Sequence, residues 1–309
     1  MIKKAFFAVL AAGMALFSAC FSPWAGDEGS FAIRIGNGTP TAKLIVSDWR
    51  GGTFDTDSLS HTITVTGNGI TQTKSCVGDQ IVSFTVIAGT YDISIESMLG
   101  GKLEAEGYAS KDIKPGQNGN VAIQMTPAYE IGDTGPAGGT IFYVNRAGFT
   151  VLGFSYPDGD SGYFRDYTAR YLEAAPADVG QSTWGDIGNQ VAGVTAMDLA
   201  STGQYIGHGR KDTRLIAAHM NGKSITGTAA QECVNMSEGG YNDWFLPSLD
   251  ELRLLAHSGA SVIGLANQTY WTSTQWSNDW AWVWRSSDDT EYYDVKSMTT
   301  FYVHAIRAF

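Results

Sequence analysis

The sequence predicts a mainly β protein in two parts, an amino-terminal β-sandwich of immunoglobulin or transthyretin-like type and a carboxy-terminal α+β head. Three observations carry that expectation. Short runs between residues 30 and 127 alternate apolar and polar side chains. After Pro127 the texture turns glycine- and tryptophan-rich. The composition, with 37 glycines and only 17 % charged residues, suits a turn-rich β protein, while 43 % hydrophobic residues supply packed cores. At about 100–200 residues per domain, a chain of 309 residues makes two domains.

At the start of the chain, Lys3 and Lys4 precede an apolar run over residues 5–17. The run is too short to span a bilayer comfortably and ends in small residues, as a secretory signal does. Leu16-Phe17-Ser18-Ala19-Cys20 then resembles the lipobox of bacterial lipoproteins, in a form relaxed at the bulky Phe17. The resemblance implies a signal peptide over residues 1–19, cleavage before Cys20, and diacylglycerol on the cysteine sulfur. A membrane would then be reached through the lipid anchor, and because each buried CH₂ contributes about 0.8 kcal/mol, stable anchoring takes two or more chains. Residues 20–29 read as the lipidated tether. Phe21, in place of an aspartate, leaves the outer membrane open as the destination, and with it the cell surface. The alternative is an ordinary secretory signal with an incidental cysteine.

The formal net charge of −11 argues against nucleic acid as a partner, and against broad attraction to sulfated polysaccharide or anionic lipid. Cys76 and Cys233 lie far apart, in different expected domains, and read as free thiols. Their spacing matches no zinc site.

Residues 30–127 form the expected spacer. Phe31-Ala32-Ile33-Arg34-Ile35, Thr62-Ile63-Thr64-Val65-Thr66, Phe84-Thr85-Val86, Tyr91-Asp92-Ile93-Ser94-Ile95-Glu96 and Val121-Ala122-Ile123-Gln124-Met125 each place one face on a core and one in water. Gly67-Asn68-Gly69, Ala88-Gly89-Thr90 and Pro115-Gly116-Gln117-Asn118-Gly119 punctuate them as turns. His61 has no partner at metal-ligand spacing and reads as a surface strand residue.

The head, residues 128–309, carries an ordered series of short motifs. Gly132-Asp133-Thr134-Gly135-Pro136-Ala137-Gly138-Gly139 leads into Thr140-Ile141-Phe142-Tyr143-Val144. Tyr171-Leu172-Glu173-Ala174-Ala175-Pro176-Ala177-Asp178, Trp184 and Ile206-Gly207-His208-Gly209 follow, then Asp243-Trp244-Phe245-Leu246-Pro247-Ser248, Tyr270-Trp271-Thr272-Ser273-Thr274 and a terminal Ala305-Ile306-Arg307-Ala308-Phe309. Taken in order over about residues 130–309, the series resembles the Lcl carboxy-terminal domain family, named for a bacterial collagen-like adhesin. The resemblance implies a C-type-lectin-like fold and, less directly, extracellular binding or adhesion.

Read independently, Ser248-Leu249-Asp250-Glu251 is a capping box. It opens a helix through Leu252, Leu254, Leu255 and Ala256, with Gly259 placed to end it. Asp250 and Glu251 are therefore structural. Further helices are expected over 213–220 and 226–236, the second burying Cys233. Strands are expected near 141–144, 270–274, 281–285 and 302–307.

No catalytic residues, cofactor or metal are expected. His208, His219, His257 and His304 lie outside any G-x-S-x-G context, and no Walker-type loop is present. His208, between glycines and before Arg210, reads as a loop residue, with an anion cradle as the alternative. The formylglycine-generating enzymes among lectin-like folds need reactive cysteines, and this part has only Cys233. Trp276-Ser277-Asn278-Asp279 resembles the Trp-Asn-Asp calcium segment of sugar-binding lectins, but its companion Pro-containing segment is missing and calcium needs six to eight oxygens.

Function is expected near the carboxy terminus. Trp271, Ala281 and Trp282 match positions that the family fills regularly and read as core. Trp276, Trp280, Trp284, Tyr292 and Tyr293 match unfixed positions, with Asn278, Asp279, Asp288 and Asp289 interleaved. Aromatic rings with small polar residues on loops resemble a paratope. The expected ligand is an extracellular protein, with a glycan as the lesser alternative. Between residues 270 and 309 the acids Asp279, Asp288, Asp289, Glu291 and Asp294 outnumber Arg285, Lys296 and Arg307, which favours a basic partner. This departs from the sulfated-sugar preference of the family's namesake. Ser277, Asn278, Asp279, Ser286, Ser287, Asp288, Asp289, Tyr292, Tyr293 and Asp294 also fit the alphabet of lectin-like proteins diversified by adenine-mutating retroelements, which does not yield tryptophan. The rivals are an envelope structural lipoprotein without a specific ligand and an enzyme on a lectin-like scaffold.

Overall fold

The computed structural model describes residues 28–34, 45–47, 53–55, 58–78, 80–123, 125–155, 163–196, 205–258 and 265–309. The expected signal peptide, Cys20, most of the tether and the helix-ending Gly259 lie outside the described residues. The chain is mainly β and divides into two compact units, Met1–Ala128 and Tyr129–Phe309.

In the first unit the strands are β1 (Glu28–Arg34), β2 (Ile45–Ser47), β3 (Thr53–Asp55), β4 (Ser60–Gly67), β5 (Ile70–Val77), β6 (Ile81–Ile87), β7 (Gly89–Leu99), β8 (Lys102–Ile113), β9 (Gly116–Gln117) and β10 (Met125–Pro127). One sheet runs β6-β1-β9 and a second runs β10-β8-β7-β4-β5, beside a small β2-β3 pair. The period-two pattern dictates how the two main sheets meet. Phe31 and Ile33 with Val82, Phe84 and Val86 from one sheet, and Ile63, Val65, Tyr91, Ile93 and Ile95 from the other, form a single buried cluster. β4 and β5 are joined by Asn68-Gly69, both at positive φ, the two-residue turn whose twist matches that of the strands.

Several expectations need correction here. β1 begins at Glu28, so residues 28 and 29 of the expected tether belong to a sheet. Gly29 is buried there, and a Cβ at that position would meet the Lys114 carbonyl at 2.2 Å. His61 is buried, because its position on β4 turns inward beside Ser97, whose hydroxyl lies 2.7 Å from His61 Nδ1. The expected strand over 121–125 is split: Val121 bridges Ile33 of one sheet, and β10 joins β8 of the other.

The second unit comprises β11 (Thr140–Val151), β12 (Tyr167–Ala174), β13 (Gly180–Gln181), α1 (Gly209–Gly222), α2 (Ala229–Asn235), α3 (Leu249–His257), β14 (Thr269–Gln275), β15 (Trp280–Arg285), β16 (Thr290–Val295), β17 (Tyr302–Val303) and β18 (Ile306–Ala308). The sheets run β11-β12-β18 and β13-β17-β14-β15-β16. Both short helices start on capping boxes. At α3 the Ser248 hydroxyl accepts the Glu251 N–H while the Glu251 carboxylate accepts the Ser248 N–H at 2.7 Å. At α2, Gln231 accepts the Thr228 N–H at 3.1 Å. α1 and α2 bury Ile216, Met220, Ala229 and Cys233 with Trp184, Trp271 and Val283. The indole N–H groups of Trp184 and Trp271 donate to the carbonyls of Thr272 and Ser182, which lets two such large rings sit in a core. Cys76 and Cys233 are both free thiols, half-buried and buried respectively.

A buried carboxylate organises the glycine-rich entry to this unit. Glu173 on β12 accepts the Ala137 and Gly139 N–H groups at 3.0 and 2.8 Å and the Arg307 guanidinium at 3.0 Å. A Cβ at Gly135 would meet the Glu173 carboxylate at 2.4 Å, so this approach requires glycine. Burial raises the Glu173 carboxyl above its ordinary value, opposed by Arg307 and the two amides.

Candidate binding surface

Strand β15 reads Trp-Ala-Trp-Val-Trp-Arg, so Trp280, Trp282 and Trp284 project from one face and Ala281, Val283 and Arg285 from the other. Helix α3 lies over the tryptophan face. Leu249, at its start, packs on Trp282, and Leu252 and Leu255 share a cluster with Trp284. Trp280 extends past the helix and stays 37 % exposed. Antiparallel pairing puts Tyr293 of β16 opposite Trp282, and the turn after β14 brings Trp276 alongside.

The result is a pile of rings. Tyr293 stacks on Trp276 at 5.0 Å between centroids with 5° between planes. Trp280 and the buried Trp282 meet Tyr293 edge-on at 5.6 and 5.7 Å. Trp276 and Tyr293 are 38 and 41 % exposed, so three large rings stand at the surface on a buried fourth. Such ring contacts restrict the side chains' rotamers. Asn278 is exposed on the adjoining turn. Asp279 holds that turn: its carboxylate accepts the Gly188 N–H at 2.8 Å and its carbonyl accepts the Lys296 N–H at 2.9 Å.

The remaining expected site residues lie elsewhere. Trp284 is only 3 % exposed, a correction to its expected role as a contact, because α3 covers that end of the face. Its indole N–H donates to Asp289 at 2.9 Å, and that bond holds the Asp289 carboxyl below its ordinary value. Tyr292 faces the other way, packed against the core of α1 and α2 with the Arg285 guanidinium 5.2 Å from its ring centre. Asp288 is exposed but paired with Arg285 at 2.6 Å, and this bond with that of Thr290 pulls its carboxyl down to about 2. Most of the segment lies on a hairpin: β15 corresponds to the strand expected over 281–285, whereas β16, with Tyr292 and Tyr293, forms where loops were expected.

The charge ledger also changes. Lys296 is buried, its ammonium donating to the Asn189 carbonyl at 3.0 Å and lying 4.6 Å from the Trp184 ring centre; burial pushes its pKa down to about 8. Arg307 is buried between Glu173 and Asp243. Glu291 is engaged by Arg253, which also bridges to Asp250. Of the three bases counted in this region, only Arg285 is at the surface, and it is paired.

Tyr205 was not singled out by the sequence, yet it packs beneath the pile against Leu249 and Trp282. Its ring meets His208 edge-on at 5.1 Å. Ser248 donates to its carbonyl and Asp250 accepts its N–H, which explains why the N-terminus of α3 is so polar. His208 stands at the N-cap position of α1 without a side-chain cap bond and lies 3.0 Å from the Thr195 hydroxyl, while Arg210 sits over the Phe164 ring and donates to the Tyr167 hydroxyl at 2.9 Å. His304 lies buried against Asp178 at 2.7 Å, and His257 reaches Asp289 at 3.1 Å. Both ring nitrogens of His257 are engaged, the other with the Arg253 carbonyl at 2.8 Å. No group of three or more His, Cys, Asp or Glu that could hold a metal occurs among the described residues.

No protein-family model matches the chain, and no curated protein matches it. Among solved structures, the crystal structure of a fimbrial protein from Bacteroides ovatus ATCC 8483 is similar over 91 % of this chain and 70 % of that one, with 11 % sequence identity and a TM-score of 0.37.

Proposed function

We propose that this is a lipid-anchored bacterial surface protein that binds an extracellular protein through the ring pile of its second unit. The observation that carries the reading is the fixed, exposed group Trp276, Trp280 and Tyr293 beside Asn278. Large rings immobilised before binding are the usual hot spots of protein interfaces, since they bury much area at low entropic cost. The excess of carboxylates around them favours a basic partner over a sulfated glycan. In this reading Cys20 carries the lipid, the first unit is an immunoglobulin or transthyretin-like spacer, and the second is a C-type-lectin-like head of the Lcl carboxy-terminal kind. The exposed part of the diversification alphabet, Asn278, Ser287, Asp288, Asp289 and Tyr293, supports a retroelement-varied surface, and a near-identical template repeat beside the gene would test that.

Two experiments test the core of the proposal. Metabolic labelling with a fatty-acid analogue should mark wild type and not Cys20→Ser; equal labelling of both would remove the anchor. A panel of extracellular proteins and glycans, probed with the full chain and with Trp276→Ala or Tyr293→Ala, should yield a protein whose binding the variants lose. Binding that ignores both substitutions would place the ligand elsewhere.

A further inference from the structure

β16 ends its sheet, and among the described residues no strand pairs with its outer side. The register shows which backbone groups are left over. Lys296 donates its N–H to the Asp279 carbonyl, and hydrogen-bonded pairs alternate along an antiparallel ladder. Since Val295, Tyr293 and Glu291 stand opposite Trp280, Trp282 and Trp284, these three direct their N–H and C=O groups away from β15. Val295 is already engaged, its N–H by the Asp294 carboxylate at 2.7 Å and its carbonyl by the Met298 N–H at 2.9 Å. The outward N–H and C=O groups of Glu291 and Tyr293 have no partner among the described residues.

Exposed edges invite pairing and are ordinarily guarded by lysine, proline, a bulge or a covering side chain. The first unit guards one of its edges in this way. On β6, an edge strand, the Ser83 carbonyl accepts the Lys74 ammonium at 2.6 Å and the Thr85 carbonyl accepts the Gln72 amide at 3.0 Å. β16 contains neither proline nor lysine, and its pairing with β15 runs from Thr290 to Val295 without a bulge.

The two faces of this edge differ in chemistry. A residue added opposite Tyr293 would lie on the side of its ring, next to Trp276 and Trp280. The alternate residues would lie on the side of Asp294, whose carboxylate accepts the neighbouring Val295 N–H. Of the bases of residues 285–296, Arg285 is bound to Asp288 and Lys296 is buried.

We propose that β16 receives an extended segment of a partner protein as an added strand, one in which lysine or arginine alternates with apolar residues. The apolar side chains lie on the ring pile, the basic ones on the Asp294 side, and the backbone pairs with Glu291 and Tyr293. This rests on the ring pile being the ligand surface and adds the mode of binding and the pattern of the partner. It follows from strand addition, in which main-chain bonds give affinity and alternate side chains give selectivity.

The test uses the full chain in detergent and a short synthetic peptide of alternating lysine and valine with blocked ends. The peptide binds, and the amide resonances of Glu291 and Tyr293 shift most. N-methylating one alternate set of peptide nitrogens weakens binding at least about tenfold, whereas methylating the other set does not, because only one set faces β16. Replacing lysine with glutamate in the peptide weakens it by a similar factor. Glu291→Pro, which removes an outward N–H at an edge position that tolerates proline, binds about tenfold more weakly than Glu291→Ala. Equal loss from both methylated sets, or none from either, overturns strand addition. So does a concentration-dependent dimer that Glu291→Pro abolishes, since the occupant would then be a second copy. If the peptide does not bind while Trp276→Ala still removes a panel protein, strand addition fails and the ring-pile reading stands.

Discussion

In the first unit, alternate residues of β4, β6 and β7 enter one apolar core, and the residues between them face outward. In the second, charged groups lie inside the fold: Glu173, Asp212, Glu251, Lys296 and Arg307 are all buried, each tied to backbone or to an opposite charge that fixes a connecting segment. The first arrangement is a layered unit around an apolar core, and its buried ionisable residues among those described include His61, Glu104 and Glu106. The second commits buried polar groups such as Glu173, Asp212 and Glu251 to holding irregular chain in place. Under the proposed function, the first arrangement would serve as the spacer and the second as the binding head.

The largest effect should come from removing one member of a buried charge pair. Arg307→Ala leaves Glu173 in the interior without its cation and should lower the unfolding free energy of the second unit by about 3–5 kcal/mol. Calorimetry of the full chain reads this directly, and an unchanged transition would mean the pair is not structural. The first unit should be sensitive instead to lost volume. Ile63→Ala should cost about 2–5 kcal/mol and move the first unit's transition. If it shifts the second unit's transition as strongly, the two units do not unfold separately.

A smaller effect should separate the units by pH. Burial lifts the Glu251 carboxyl to about 7 and the Asp212 carboxyl to about 6. An unfolded chain releases both protons near the ordinary carboxyl values, around pH 4. Between about pH 4 and about pH 7 the folded head therefore holds protons that the unfolded chain has lost, and this contribution is full below the window and lost as pH rises through it. The head should unfold at a higher temperature at pH 5 than at pH 8, and Glu251→Gln should flatten the difference. A head that gains stability over that rise in pH would contradict the assignment.

The parts visible in the sequence were those fixed by local chemistry. Ser248 and Glu251 are three residues apart and cap each other, so the start of α3 could be read directly. Asn68-Gly69 marks its turn for the same reason. β8 could not be read, because the positions it turns toward Ile95, Ile93 and Tyr91 are Gly107, Ala109 and Lys111, which lack the large apolar side chains that mark a strand. β5 is hard to read because it is polar along most of its length and most of its positions are exposed. Most instructive are Trp280 and Trp284. They share a strand and a face, and only the placement of α3, a long-range contact, leaves one exposed and buries the other. The burial of Lys296 has the same origin: nothing in Asp294-Val295-Lys296-Ser297 announces a lysine held against Trp184 by the Asn189 carbonyl.

That pair of tryptophans provides the most direct test of the central claim. The full chain, Trp280→Ala and Trp284→Ala should be compared in two measurements on the same samples, thermal unfolding and binding to a protein found on the extracellular panel. Trp280→Ala should keep the fold within about 1 kcal/mol and lose about 2 kcal/mol or more of binding, while Trp284→Ala should unfold the head at a lower temperature. Binding undiminished in a well-folded Trp280→Ala would contradict the assignment of the ring pile as the ligand surface.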